Sequence, residues 1–191
     1  PFISGQSSSR IRMSIKESYP PLLAKLAGGD RRSIGRSEEV VADVLADPTL
    51  FAVLFAGLLV DDPLVRMRTA DAIEKITLQQ PAYLAPYKAQ LLYEVGQLAQ
   101  QEVRWHVAQL LSRVELTTAE RRTAVELLNR YFQDQSKIVK TFAMQALADI
   151  ALVDAELRPA IVAQLETLTN TGSPAMRSRG RKLLARLAAS A

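Results

Sequence analysis

Residues 61–76 read DDPLVRMRTADAIEKI: an acidic turn, a proline, the pair Val65-Arg66, then small and apolar residues spaced to fill one face of a helix. Three later stretches share this outline, each anchored by an apolar–basic pair: Val103-Arg104, Val139-Lys140 and Met176-Arg177. The basic members are 38, 36 and 37 residues apart. Seven positions after them stand Ile73, Leu111, Leu147 and Leu184, and ten positions after them Ile76, Val114, Ile150 and Leu187. Aliphatic residues that return at this period mark a helical repeat that buries its apolar side against its neighbours. The expected fold is all-α, a right-handed α-α superhelix (a solenoid) of about four helix pairs, with further helices capping its N-terminal end.

Outward from residue 61, the same devices recur. Asp62-Pro63 and Asp47-Pro48 each offer an N-cap followed by proline at the first helical position. The segment after Pro48, TLFAVLFAGLLV, is apolar nearly all round, so it needs cover on more than one side. A helix over 37–46 is the expected lid, with Ser37 as N-cap and Glu38 and Glu39 at its positive end. The next pair is expected as a long helix over 81–99, bent or restarted at Pro86, and a partner over 101–115. Thr118 is the expected cap of the third pair, whose second helix starts at Ser136. Asp154 opens the fourth, and Ser173-Pro174 opens the last helix. The repeats fall at approximately 48–78, 81–115, 118–152 and 154–189, within a repeat domain over 37–191. Residues 1–36 form an N-terminal extension: a short helix over 20–27 stopped by Gly28-Gly29, then a loop carrying Arg31, Arg32 and Arg36. Met13 is a candidate start, with residues 1–12 as a leader ahead of it.

Composition narrows the chemistry. The chain has no cysteine, which excludes disulfides, thiolate catalysis and sulfur-ligated zinc. The longest apolar run covers residues 50–60, about half of the roughly 20 residues a spanning helix needs. The first residues do not read as a secretion signal, so a cytoplasmic protein with no membrane contact is expected. Charge is unevenly placed. Residues 1–36 carry seven basic and two acidic groups, residues 176–191 five basic and none acidic, and the middle twelve basic against eighteen acidic. Basic ends can mark contact with a polyanion, although solenoid ends must be polar in any case.

The unit resembles a HEAT repeat, an antiparallel helix pair whose second helix opens with an acidic or small turn, then Val-Arg, then an alanine-rich packing face. DDPLVRMRTADAI matches best, QEVRWHVAQLL and IVKTFAMQAL fairly, and SPAMRSRGRKLL least. The resemblance covers roughly residues 48–188, and it specifies packing rather than catalysis. It implies that Arg66, Arg104, Lys140 and Arg177 are structural, each bonding to the turn of an adjacent repeat. The alternative is a ladder on the concave face that grips an anionic partner.

Two positions after each register residue stand Arg68, His106, Phe142 and Arg179, on a different helix face. With Arg31, Arg32, Arg36, Arg181 and Lys182 these would line a groove suited to phosphates, or would simply be solvated charge. Trp105, the single tryptophan, suits a core or interface position. Glu102 and His106 share a helix face, but two ligands fall short of the three protein ligands of a catalytic metal site. With one histidine, the repeated His-Glu motifs of HEAT-like di-iron hydroxylases are absent, and no aromatic cluster surrounds an aspartate as in the HEAT-like DNA glycosylases. No catalytic residue, metal site or cofactor is expected. The reading is a non-catalytic scaffold presenting a curved helical surface to a protein or peptide. The alternative is a nucleic-acid-binding or DNA-processing protein that uses the basic residues of the ends and the concave face.

Overall fold

The computed structural model describes residues 19–30 and 32–190, so Arg31 lies outside the described residues. Among them the chain is all-helical, with ten α-helices, short 3-10 segments and no strand. The helices are α1 (Pro21–Ala24), α2 (Ser37–Ala46), α3 (Phe51–Ala56), α4 (Pro63–Gln79) and α5 (Lys88–Tyr93), followed by α6 (Gln101–Leu111), α7 (Thr118–Tyr131), α8 (Lys137–Val153), α9 (Arg158–Thr171) and α10 (Pro174–Ala188).

Side chains in the connecting turns start these helices. The Asp62 carboxylate accepts from the N–H groups of Leu64 and Val65, with Pro63 at the first position, where its missing N–H costs nothing. Ser136 and Ser173 cap α8 and α10 in the same way. Helix α7 begins one residue earlier than expected: Thr117, not Thr118, is the cap, and Glu120 closes a capping box back onto the Thr117 N–H. Ser37 is not a cap either. It is the first residue of α2 and fully buried, and its hydroxyl donates to Asp71 of α4 at 3.1 Å. The helix expected over 81–99 is broken into a 3-10 stretch (Pro81–Tyr87), α5 and a second 3-10 turn (Val95–Gln97). Pro86 lacks an N–H and its ring crowds the preceding turn, so the α-ladder resumes only at Lys88.

Helices α2, α4, α6, α8 and α10 pack each against the next, in chain order. Helix α3 lies on α4, α7 on α8, and α9 on both α8 and α10. One hydrophobic cluster runs from Leu22 to Leu187 through all of them. Helix α8, with neighbours on several sides, buries Val139, Ala143, Met144, Ala146, Leu147, Ala148, Ile150 and Ala151. Its alanines keep the crowded side thin enough for close approach. At the N-terminal end Phe51, Phe55, Tyr83 and Tyr87 form an aromatic group, with Phe55 stacked on Tyr87 at 4.2 Å and Phe51 edge-on to Tyr83 at 5.3 Å. The apolar 49–60 segment is covered there by α1, α4 and the 81–87 stretch. None of the described helices is long and apolar enough to cross a membrane.

Candidate functional site

The register arginines hold loops. Arg66 donates to the Val60 carbonyl at 2.7 Å and forward to the Gln100 side chain at 2.8 Å. Arg104 donates to the Leu98 carbonyl at 2.9 Å and forward to the Asp134 carboxylate at 2.7 Å, and it lies 5.4 Å from the centroid of the Tyr131 ring. Asp134 is shielded, its side chain 8% exposed, so this ion pair is less screened than a surface one. Among the described residues Arg177 donates only to the Gly172 carbonyl, at 3.2 Å, and it is exposed. Lys140 is half-buried. Arg66 and Arg104 thus tie the turn before their own helix to the turn before the next second helix.

The two-position column does not form one basic surface. Arg68 is 2% exposed, and four of its five N–H groups donate to backbone carbonyls of a single loop: Leu26 and Gly28 at 2.7 Å, Asp30 at 2.9 Å and Ser33 at 3.0 Å. That loop folds around the guanidinium. Gly35 has φ +60, and a Cβ there would sit 3.0 Å from Arg68 Nη1. His106 is buried, with Nδ1 lacking a hydrogen-bond partner. Phe142 is half-buried, and Arg179 lies over its ring at 6.0 Å while donating to Gln145 at 3.0 Å. Of the other basic candidates, Arg36 pairs with Glu39 at 2.6 Å, whereas Arg32 on its loop and Arg181 and Lys182 on α10 are exposed. Trp105 is half-buried, packed on the core, with its ring 5.6 Å from that of His106.

Desolvation pushes the His106 pKa down to about 4, against the opposing pull of Asp71 and Glu74 on α4 and of a hydrogen bond that the ring donates to Gln109 on its own helix; Arg113 adds to the depression. The imidazole is therefore neutral in the folded protein at pH 7. In the unfolded chain it titrates near 6.5, so between these values the unfolded state binds the extra proton. Stability on this account is complete above pH 6.5 and falls as pH drops toward 4, by on the order of 3 kcal/mol. Replacement by phenylalanine, the residue at the same place on α8, is expected to flatten the urea midpoint across that window relative to the parent chain. An unchanged slope would show that His106 is not its source.

A different column organises the layer of second helices. Nine positions after each register residue stand Lys75, Arg113, Asp149 and Arg186. Three of these reach back to an acid on the preceding second helix. Lys75 pairs with Glu38 of α2 at 2.5 Å, Arg113 with Glu74 of α4, and Arg186 with Asp149 of α8. Arg113 also donates to the Glu74 carbonyl at 2.7 Å and to Thr77 Oγ1 at 3.1 Å. The seam between α6 and α8 is the exception. Its nine-position residue is the acid Asp149, and the position that Glu74 holds on α4 is taken on α6 by Ser112. Among the described residues no side-chain hydrogen bond or ion pair joins α6 to α8. At this gap lies a cavity of about 400 Å³, walled by residues 111–116, Arg121 of the first turn of α7, and Asp149, Ile150 and Val153 of the last turns of α8. No protein-family model, curated protein or solved structure matches this chain. The seam was legible in the sequence as a sign change in a nine-position column, a signal that the two-position basic column conceals.

Proposed function

We propose that this chain is a HEAT-like helical solenoid that works as a non-catalytic scaffold, offering the layer of second helices to a protein or peptide. The observation that supports this best is the side-by-side packing of α2, α4, α6, α8 and α10 together with the bonds that lock it. Such a surface is preorganised, and a partner binding to it forfeits little ordering entropy. Met67, Trp105 and Thr141 hold one register position on α4, α6 and α8, all half-buried. They supply an apolar anchor with a polar neighbour, the composition of an interface centre.

The nucleic-acid alternative draws less support. It needed Arg68 and His106 in a phosphate groove, but the first is spent on carbonyls and the second is neutral and buried. Titration with short DNA and RNA at about 50 and 200 mM salt, the range over which phosphate contacts declare themselves, is expected to give no tight binding at either. Tight binding at the lower concentration, lost at the higher, would replace the scaffold reading with the nucleic-acid one. The positive test places a photo-cross-linking amino acid at Thr141 or, as a control, at the exposed Glu166 of α9, in the cells that make the protein. A discrete adduct from 141 and none from 166 is expected. Equal labelling at both would sink the proposed surface.

A further inference from the structure

We infer that the cavity at the C-terminal end of the α6–α8 seam is a docking site for a basic side chain, arginine or lysine, presented by a protein partner; this rests on the scaffold reading above. The protein's own packing shows what chemistry the seam takes. Lys75, Arg113 and Arg186 each close one seam of the layer by laying a cation against an acid of the preceding helix. At the fourth seam no cation stands at this position: Asp149 holds it and is itself paired with Arg186 of α10, which leaves Glu115 as the acid of the cavity wall without a side-chain partner among the described residues.

The charges around the cavity favour the same guest. Both arginines of its wall are already neutralised, Arg113 by Glu74 and Arg121 by Asp154 at 2.6 Å with the Leu116 carbonyl at 2.7 Å. Asp149 shares its carboxylate with Arg186 and with Gln145 at 3.0 Å. Glu115 is exposed and has no side-chain partner among the described residues. The last turns of α6 and α8 both end at the cavity, and the free carbonyls of a helix C-terminus favour a positive charge. Leu111, Leu116 and Ile150 give the chamber an apolar lining for the methylene stem of a long basic side chain, and Val153, 69% exposed, stands at its rim for a neighbouring apolar residue. A volume of about 400 Å³ is ample for one such side chain.

The test is selection of a phage-displayed random dodecapeptide library on the full chain, with affinities then measured for synthetic peptides. The expected peptides carry an arginine or lysine beside an apolar residue. They weaken at least about tenfold when that basic residue is replaced by citrulline or norleucine, and similarly on Ser112→Arg and Asp149→Asn. Ser112 is exposed at the end of α6, so the arginine supplies the missing cation from within. Ser112→Arg is therefore expected to raise the thermal midpoint of the free protein while it blocks the peptide. Arg181→Ala, away from the seam, is expected to leave binding unchanged. Peptides that bind but ignore Ser112→Arg, or that need no basic residue, would overturn this site and leave the scaffold reading standing. A library that yields no binder at all would count against both.

Discussion

Replacing Arg68 by methionine is expected to destabilise the protein by about 4 kcal/mol, more than removal of any exposed charge on the molecule. Methionine keeps much of the buried stem, so the loss reports on the guanidinium. That group satisfies the carbonyls of Leu26, Gly28, Asp30 and Ser33 at once, and without it they lose their shared donor beneath the packed end of α4. Each hydrogen bond to a charged group contributes about 1.5–3 kcal/mol, and fraying of the loop into water recovers part of the total. Arg68→Lys is expected to fall between the two, because an ammonium is a point donor and cannot span four acceptors in a plane. Equilibrium urea unfolding gives the magnitude, and hydrogen exchange of the amides over 26–36 gives the location. A loss below about 1 kcal/mol, as for a surface arginine, would show that the loop does not depend on this contact.

Gly180→Ala is expected to cost about 2–3 kcal/mol despite replacing glycine inside a helix. Propensity alone favours alanine by about 1 kcal/mol, so the two effects oppose each other. Packing wins here because α10 crosses α9 at this residue. A Cβ on Gly180 would collide with the Thr169 hydroxyl, and it would lie 2.9 Å from Thr169 Cβ and 3.0 Å from Met144 Cε. Thr169 cannot swing aside freely, since it is buried and its hydroxyl donates to the Leu165 carbonyl at 2.6 Å. Thr169→Ala in the Gly180→Ala background removes the hydroxyl half of the clash, and a coupling of more than about 1 kcal/mol is expected from the double-mutant cycle. Additive losses would mean that the helices simply separate there.

The largest effect thus comes from a residue whose sequence context suggested a ligand contact. Arg68 sits in an amphipathic register, two positions from Arg66, and nothing local distinguishes a solvated arginine from a buried one. Its partners lie 35 to 42 residues away in a loop whose glycines give no hint of what they wrap. His106 is the converse case: its burial follows from α6 being sandwiched between α4 and α8, which a single-helix pattern does not reveal.

What the sequence determined by itself was the order of the helices and where most of them start. Capping side chains and prolines act over a few residues, and apolar periodicity over a single helix, so Asp62-Pro63, Ser136 and Ser173-Pro174 announce their helices without tertiary help. The nine-position column was also present in the residue types, waiting for a neighbour to give it meaning. Tertiary structure alone decided which cations are spent and which are free, which of four similar helix seams goes without an ion pair, and why α10 carries glycine at 180. Those outcomes depend on groups from different helices and loops, from 11 to 42 residues apart in the chain, meeting within a few ångströms. Local pattern sets the direction of a side chain, but its partner is chosen only when the layers pack.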